Sequence, residues 1–518
     1  MPITTLGALN TTALIVPDLY VQIVPPQTLL LNGVPTDVAG IVGSASWGPV
    51  DEPMIIGSMA DYALSFGPVM PRIFDMGSAV AIAVQQGAGN FRCVRVTDGT
   101  DSAAAVSLFG AIEFTAIYTG SLGNLLSVAL SAGSAAASWC LTVSMPGRPP
   151  EIFDNLLGTG YALWQAMANA VNQGTGPLRG ASQLIVASAV SSSIAPTVGV
   201  YPFSSGVAGS DGVATLTSGM LLGQDAASRS GLYALRSQGC TLAMLADTTD
   251  MSLWTAQVAF GLEEGCYMIL TGPAGDTIAN AVAVKQAAGL DSYAAKLMFG
   301  DWVWWYDQAN QLTRLVSPQG FVLGRLANLS PEKSSLNKPL YGVVGSQKSG
   351  QAPSGITSGY TTADLAALLS AGIDVIANPQ PGGSFWGVRG GHNSSSNAAI
   401  NGDNYTRLTN YIAATLSAGM GAYVGRVINT TLFQQVRATL LAFLNGMLSQ
   451  GLLGSTTGAL PFAVVCDASN NPATRTGLGY LQADVQVLYQ AINEKFIVNV
   501  QGGQTVQVSQ QTLPQGTV

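Results

Sequence analysis

The run Gly342–Ser349 is the part of this chain whose residue types come nearest to a known chemistry, the binding of phosphate groups. It reads Gly-Val-Val-Gly-Ser-Gln-Lys-Ser, whereas a phosphate-binding loop reads Gly-x-x-x-x-Gly-Lys-Ser and wraps its backbone around the phosphates. Gln347 occupies the position of the second glycine, where a side chain obstructs that wrapping. No helix pattern follows the run directly. We therefore expect a flexible linker here and no nucleotide site.

Histidine and paired carboxylates are the next candidates for catalysis. His392 is the only histidine, so a His-rich metal site is excluded, and no Gly-x-Ser-x-Gly run supplies a nucleophile. We expect His392 to lie exposed in a loop. The pairs Asp247 with Asp250 and Glu263 with Glu264 have acid–base residue types. Adjacent glutamates on a helix more often mark a solvated face or a salt bridge to a neighbouring subunit.

The remaining residues with special chemistry form no recognisable site. The run Trp302–Tyr306 has the aromatic rings that stack on sugars or bases, but its alternation fits a core or interface strand at least as well. The cysteines are widely spaced, odd in number and form no Cys-x-x-Cys, which disfavours a metal site and a disulfide framework. They are Cys93, Cys140, Cys240, Cys266 and Cys466. We therefore predict no catalytic residues, no metal and no cofactor, and we expect the protein not to be an enzyme.

The composition favours a protein whose surface is covered by copies of itself. Of the 518 residues 48% are hydrophobic and only 9% are charged, against about 25% charged in an average soluble protein. The uncharged stretch Phe114–Gly147 is interrupted by Gly, Ser, Thr and Asn, so we predict no membrane insertion. The net charge of −8 and the lack of a Lys/Arg cluster argue against a nucleic-acid partner. Residues 1–5 lack the pattern of a secretory signal.

Short alternating strands are predicted at both ends of the chain, outside any segment that could bury them. Tyr20–Val24 lies between Pro17 and the pair Pro25–Pro26, and Phe496–Val500 precedes two glycines. Proline donates no ladder hydrogen bond, so a strand bounded by it belongs at a sheet edge, where it can pair with another chain. Docking of both ends on their own domain is an equally open interpretation. The residues predicted to contact neighbouring subunits are Tyr20, Val21, Ile23, Phe496, Val498 and Val500.

The first two thirds of the chain read as an α/β unit interrupted by a β-rich one. The α/β elements are the strand Val38–Gly43, the helices Ser58–Gly67 (N-cap Ser58, stop Gly67) and Ser78–Gln86, and the strands Phe91–Val96, Thr241–Ala246 and Cys266–Leu270. From Asp98 to about Gly209 the chain is richer in Ser, Gly and Thr. Elements predicted there are the strands Phe114–Tyr118, Leu125–Leu130 and Trp139–Val143 and the helix Ala162–Val171.

The polar run Ser334–Gln351 predicts a boundary, after which a further unit begins. Its predicted elements are the helices Thr361–Ser370 and Thr431–Gln450 and the strands Phe462–Cys466 and Tyr480–Tyr489. The second helix has the clearest pattern, because Val436, Leu440 and Met447 recur at helical spacing. No internal repeat is present, so a solenoid is excluded.

Many short runs along the chain follow one another in a specific order. They are Pro17–Val21, Ile41–Pro53, Asp61–Gly67, Phe91–Val96, Tyr118–Asn124, Gly209–Gly212, Ile373–Ile376, Trp386–Arg389, Tyr405–Asn410, Thr431–Gln450 and Phe496–Val500. In this order they resemble the contractile tail sheath proteins of bacteriophages and phage-tail-like particles. The resemblance covers most of the chain, and its specificity lies in the order of many weak motifs.

The resemblance implies a multidomain fold of the α/β and β classes. It comprises an α/β sheath core, an inserted β-rich domain and a C-terminal α/β assembly domain completed by strands exchanged between subunits. The implied domains are an N-terminal exchange arm (1–24), a discontinuous α/β middle domain (25–102 and 209–335), the inserted β-rich outer domain (103–208) and the C-terminal assembly domain with its terminal exchange strand (336–518).

The implied function is mechanical. The protein is expected to be the structural subunit of a sheath that surrounds a tail tube, contracts by subunit rotation and repacking, and drives the tube through the bacterial envelope without a nucleotide. The implied partners are further copies of the chain, the tail tube protein, and baseplate and tail terminator proteins. The implied location is the virion, with assembly in the host cytoplasm.

Two other classes of protein remain open. One is a different self-assembling structural protein, such as a surface-layer protein, which a secretion signal would favour. The other is an NTPase that acts on such assemblies, which Gln347 disfavours.

Overall fold

The computed structural model describes residues 3–6, 20–23, 31–177, 179–348 and 359–500, the first two ranges by their backbone strands alone. The strands are β1 (Ile3–Leu6), β2 (Tyr20–Ile23), β3 (Ala39–Gly43), β4 (Pro53–Ile56), β5 (Phe91–Arg95), β6 (Ala105–Leu108), β7 (Ile112–Ala116), β8 (Ser127–Ala132), β9 (Trp139–Ser144), β10 (Glu151–Leu156), β11 (Ile185–Ala189), β12 (Gly199–Pro202), β13 (Leu242–Leu245), β14 (Tyr267–Thr271), β15 (Ala295–Met298), β16 (Val303–Asp307), β17 (Leu312–Val316), β18 (Val343–Ser346), β19 (Ile376–Ala377), β20 (Gly387–Val388), β21 (Phe462–Val465) and β22 (Asp484–Val487). The helices are α1 (Met59–Phe66), α2 (Met76–Gln85), α3 (Tyr161–Gln173), α4 (Ser218–Leu222), α5 (Trp254–Glu264), α6 (Ile278–Ala287), α7 (Gln319–Ala327), α8 (Thr362–Ser370), α9 (Asp403–Met420), α10 (Thr430–Ser449) and α11 (Ala473–Thr476).

A six-stranded sheet in the order β15-β14-β13-β3-β5-β4 forms the centre of the described fold. Its strands run parallel except β4, which pairs antiparallel with β5 at one edge. Strands β3, β13, β14 and β15 are buried along their whole length, as expected when both faces of a parallel sheet are covered. Neighbouring residues Ile41 and Val42 belong to different apolar clusters, one on each face.

Local sequence explains where the helices of this layer begin and end. The Ser58 side chain accepts a hydrogen bond from the Asp61 N–H, and Gly67, with φ +89°, ends α1. Helices α2 and α7 cross closely because α7 contains Gly324, where a Cβ would lie 2.5 Å from Ala83 Cα. The cap and stop predicted for the first helix are confirmed.

Residues between β5 and β13 build a second core away from the central sheet. It contains the antiparallel sheets β10-β9-β8-β12 and β11-β7-β6 and the helix α3. Trp47 reaches into this core from the end of the first layer. Arg95, fully buried, donates to the backbone carbonyls of Gly48 and Thr119 and so ties the two regions together.

The prediction of a flexible linker at Gly342–Ser349 is wrong for the part of this run that the structure describes. Strand β18 lies inside this run and pairs antiparallel with β16, whose other neighbour is β17. Propensity alone favoured a loop because glycine and polar residues are common here; pairing with the Trp304 backbone overrides that preference. Ser349 lies outside the described residues.

The chain from residue 359 to residue 402 packs on the central sheet. Leu368, Ile373 and Val375 join the apolar cluster on one face, and Ile376 and Val388 join the cluster on the other. Helices α9 and α10 and the strands β21 and β22 share a separate fourth cluster. The domain limits proposed above therefore stay predictions, and this packing favours placing the start of the last unit near Asp403.

Most predicted elements are present, with ends shifted by one to four residues, and the fold is a mixed α/β one with several sheets. The predicted strand Phe496–Val500 is not formed in the single chain. Helix α9 was not predicted as a helix. Among the described residues, none of the helices combines the length and the apolar character needed to cross a membrane.

Candidate assembly interface

The last cluster of the fold contains a sheet of only two strands, β21 and β22. Their antiparallel register places Phe462 opposite Val487 and Val464 opposite Val485. These four side chains share the inner face of the sheet and belong to the apolar cluster built by α9 and α10. A two-stranded ladder is marginal by itself, so the helices beneath it supply its support.

Both outer edges of this sheet are open. Leu488 donates its N–H to the Pro461 carbonyl at 2.6 Å, which makes that pair a hydrogen-bonded one. Bonded and non-bonded pairs alternate along an antiparallel ladder, so the two inner-face pairs turn their N–H and C=O groups outwards. Among the described residues these outward groups have no backbone partner. Each edge can therefore accept an additional strand.

A groove runs beside the outer edge of β22, between that strand and α9. Its first part is a cavity of about 740 Å³ floored by Tyr405, Thr409, Ile412, Ala413 and Leu416 of α9. Its second part, of about 940 Å³, is floored by Leu416, Met420, Leu432, Val436 and Leu440. Leu416 and Val485 line both parts, so the two are continuous. We call this feature the β22 groove.

The floor of the β22 groove is largely apolar, and Asn404 and Gln490 are among the polar residues that line its first part. At its rim Val424 and Tyr480 are 84% and 60% exposed. The Arg426 guanidinium lies 4.8 Å from the ring centre of Tyr423. Hydrogen bonds from the Gln482 and Asn470 side chains hold the pKa of the Asp484 carboxyl below its usual range. The groove is therefore suited to apolar side chains and a paired backbone.

The last described residues form an apolar segment that the rest of the chain leaves uncovered. Phe496, Val498 and Val500 are 82%, 63% and 87% exposed, and Ile497 is 81% exposed. They take part in no ladder with any described residue. A contiguous exposed apolar stretch of this kind marks a contact surface. These three predicted contact residues thus lie together on one accessible segment.

The start of this segment is held at the N-terminal end of α9. Asn404 Nδ2 donates to the Gln490 carbonyl at 2.9 Å, and His392 Nε2 lies 2.7 Å from Glu494 Oε1. The second part of the β22 groove lies at the opposite end of α9, which spans 18 residues and so about 25 Å. Residues 490–492 and Glu494 line the first part of this groove in their own chain, whereas Phe496 lines a separate cavity beside α8.

The predicted N-terminal contact residues lie in a different ladder. Tyr20, Val21 and Ile23 belong to β2, which pairs in parallel with β1 and with no other described strand. The structure does not bring them into one sheet with Phe496–Val500. A role of either set in subunit contacts stays a prediction.

The catalytic candidates occupy structural positions. His392, expected to be exposed, is half-buried and paired with Glu494. Glu263 and Glu264 both bind Arg236 of the same chain, at 2.5 and 3.0 Å, so their salt bridges are intramolecular. Trp305 lies in the core on β16. Within the described ranges, no group of His, Cys, Asp and Glu side chains could hold a metal ion.

Sequence reasoning missed α9, the helix that floors the β22 groove. Its signal was present, because Leu408, Ile412 and Thr415 recur at helical spacing and are buried. The groove itself has no sequence signature, since it forms only where α9 and β22 meet.

Comparison with solved structures finds sheath proteins of the same fold. A sheath tail protein from Desulfitobacterium hafniense has a TM-score of 0.58 at 15% identity, over 86% of this chain and 93% of that chain. One from Listeria innocua has a TM-score of 0.59 at 14% identity, over 85% and 90%. The sheath of the extracellular contractile injection system PVC, in its contracted state, has a TM-score of 0.54 at 13% identity, over 95% and 98%.

Comparison by sequence adds nothing to this, because no family model and no curated protein sequence matches the chain. The resemblance read from the order of weak motifs is confirmed by the structural comparison. The chain has the fold of contractile tail sheath proteins.

Proposed function

We propose that this protein is the structural subunit of a contractile sheath around the tail tube of a myovirus-type phage or a phage-tail-like particle. In this proposal, terminal strands donated by neighbouring copies complete the β21–β22 sheet. One observation carries it: the same chain has a two-stranded sheet with open edges beside a groove, and an exposed apolar segment, Phe496–Val500, that lines neither part of that groove.

Side-chain burial would provide most of the binding free energy. Each main-chain hydrogen bond contributes about 0.5–1.5 kcal/mol net, whereas burying one Phe or Val side chain contributes about 1.5–3 kcal/mol. Loss of translational freedom and ordering of the segment reduce the sum. The open edge therefore sets the register of a donated strand, and the β22 groove holds it. Two open edges match the two donated ends, one from each terminus.

Contacts of this kind join the donor face of one copy to the acceptor face of the next, which gives an open helix when the rotation between copies does not close a ring. We infer that contraction rotates and repacks the subunits while the donated strands persist, with the energy stored in the difference between two packings. The proposed partners are the tail tube, baseplate and tail terminator proteins. The proposed location is the particle, after assembly in the host cytoplasm. A similar fold occurs in a sheath solved in its contracted state.

The test uses substitutions at one outward N–H of β22, read by negative-stain microscopy of the purified chain. Val487→Pro removes that N–H without removing a hydrogen bond to β21, and Val487→Ala keeps the N–H while removing both methyl groups, so it controls for loss of the valine side chain. We expect tubes from the parent and from Val487→Ala, and dispersed subunits from Val487→Pro and from a chain lacking residues 496–518. Circular dichroism checks that each variant is folded.

Tubes from a folded Val487→Pro variant would disprove strand addition at β22. Flat lattices instead of tubes would indicate a surface-layer type of protein. Assembly that requires ATP would contradict storage of energy in packing.

A further inference from the structure

A buried charge cluster joins the central sheet to the C-terminal helices. Lys296 on β15 is 0% exposed, and its Nζ lies 2.7 Å from Asp374 Oδ2 and 3.0 Å from Asp403 Oδ1. The third hydrogen bond of the ammonium goes to the His392 carbonyl at 2.8 Å. A lysine ammonium has three donors, and here a different segment of the chain accepts each one.

The two carboxylates of this cluster are fully hydrogen-bonded as well. Asp374 accepts from the backbone N–H groups of Gly390 and Gly391, each at 2.7 Å. Asp403 accepts from the Tyr267 hydroxyl at 2.7 Å and from the Ser335 N–H at 3.1 Å. Burial without such partners would disfavour both charges strongly. The geometry is therefore that of a specific joint and not of a chance contact.

A second buried cation, Arg407, lies on the same helix as Asp403. Arg407 follows Asp403 by one turn of α9 and donates to the carbonyls of Leu329 and Ser330. Burial lowers the pKa of Lys296, but the carboxylates of Asp374 and Asp403 raise it by more. The buried region thus holds the side chains of two basic and two acidic residues, and the raised pKa keeps Lys296 protonated at neutral pH.

The cluster connects parts that share no apolar core. The two clusters that cover the central sheet contain no buried residue beyond Val388. The cluster of α9, α10 and the β21–β22 sheet begins its buried members at Leu408. Apart from the edge-to-face contact of the Tyr293 and Tyr405 rings, the connection between the two sides is polar, and the Lys296 cluster is its most buried part.

The Lys296 cluster is also linked to the residues that directly precede the exposed segment. The His392 carbonyl binds Lys296, and the His392 imidazole binds Glu494. Asp403 is the first residue of α9, whose next residue, Asn404, binds the Gln490 carbonyl. Residues 489–494 and the start of α9 are thus both tied to β15.

We propose that the Lys296 cluster is a rigid joint that fixes α9 and residues 489–494 to the central sheet. Force applied to the segment 496–500 is then transmitted to the central sheet, and the C-terminal helices stay attached to it. The source of the pull rests on the proposed function, whereas the joint is a property of the single chain. The part of the segment available to another copy begins after Glu494.

The joint is tested by hydrogen–deuterium exchange of the unassembled full chain, followed by mass spectrometry. The readout is the protection of α9 relative to that of β14. We expect Lys296→Met to lower this ratio at least tenfold, because α9 opens separately from the sheet. Lys285→Met is the matched control: Lys285 is also buried but binds only the carbonyls of Ala371 and Ser394. It is expected to leave the ratio unchanged.

Two further variants keep the test decisive if Lys296→Met does not fold. Asp403→Asn preserves the shape of the side chain and removes one charge of the joint, and it is expected to lower the same ratio. Glu494→Ala removes the partner of the His392 imidazole at the accessible end and is expected to speed exchange of residues 491–494 while α9 stays protected. An unchanged ratio in folded Lys296→Met or Asp403→Asn, or unchanged exchange of 491–494 in Glu494→Ala, overturns the joint. Since no polymer is present, a chain that builds no sheath would still show the joint.

Discussion

The central sheet and the β21–β22 sheet of this protein differ in how fully the described chain covers them. The central sheet has six strands, both of its faces are covered, and four of its strands are buried along their whole length. The β21–β22 sheet has two strands, one covered face and two open edges. The difference sets a sheet with both faces covered against one whose edges stay open among the described residues.

Incomplete burial on this scale is unfavourable for a protein that stays a monomer. The chain exposes Phe496, Ile497 and Val500 almost fully and keeps an apolar groove open beside β22. In the proposed function, an apolar strand from one copy enters the groove of another, which covers both features. The low charge content of the whole chain fits a surface that is largely covered in an assembly.

The largest expected effect is on amide exchange in β22 when the protein assembles. The outward N–H groups of Val485 and Val487 have no backbone partner among the described residues, so they should exchange rapidly. A donated strand should slow their exchange by roughly 1,000-fold, because opening then requires removal of that strand. Exchange of a peptide covering 481–489, measured before and after assembly, checks this.

Strand β13 provides the internal control, since Leu242–Leu245 is buried and paired on both sides. Its protection should be high in both states. Equal exchange of β22 in free and assembled protein would remove the contrast between the two sheets.

The next largest effect is on the free energy of unfolding, when an apolar side chain is truncated to alanine in each of the two sheets. Ile41 is 0% exposed at the centre of β3, so Ile41→Ala should lower the free energy of unfolding by about 3 kcal/mol. Val485 is only half-buried, so Val485→Ala should lower it by less than about 1 kcal/mol. Urea unfolding followed by tryptophan fluorescence measures both. A larger loss from Val485→Ala would mean that the β21–β22 sheet is already complete in the monomer.

The smallest effect separates the two regions by their response to pH. Burial raises the pKa of Asp75, the N-cap of α2, to about 6 in spite of hydrogen bonds from Ser78 and the charge of Arg72. A carboxyl with a folded pKa above its unfolded value of about 3.9 favours the protonated folded state. The free energy of unfolding should therefore fall as pH rises from about 4 to about 6.

Asp75→Asn keeps a capping side chain and removes this titration. We expect the variant to exceed the parent in stability by about 2 kcal/mol at pH 7 and to equal it near pH 4. Asp484, at the β21–β22 sheet, has a lowered pKa, so its stabilising contribution is present at neutral pH and is lost below about pH 4. Urea titrations at several pH values, with Asp484→Asn for comparison, distinguish the two signs.

Local signals predicted the elements of the first layer well. Ser58 and Gly67 delimit α1 because a hydroxyl cap and a glycine stop act within one turn. Strands such as Ala39–Gly43 were recognisable because a buried parallel strand is a short continuous apolar run. The sequence leaves Asn429 or Thr430 as the cap of α10, and the structure shows that Asn429 accepts from the Leu432 N–H.

Elements that depend on distant partners were predicted less well. Val343–Ser346 is a strand only because it pairs with β16, and its own residues favour a loop. His392 is half-buried because Glu494, a hundred residues away, covers it. The exposed strand predicted at Phe496–Val500 lacks a ladder partner in one chain, so its conformation depends on a second one.

The amino-acid sequence alone determined the caps, the buried strands, the low charge and the apolar ends of this protein, because each depends on residues within a turn or two of one another. Only the tertiary structure decided that β21 and β22 stay open, that a groove lies along α9, and that Lys296 meets Asp374 and Asp403. These features join residues that are far apart in the chain. Their free energy comes from burial and charge pairing, which exist only after the chain has folded.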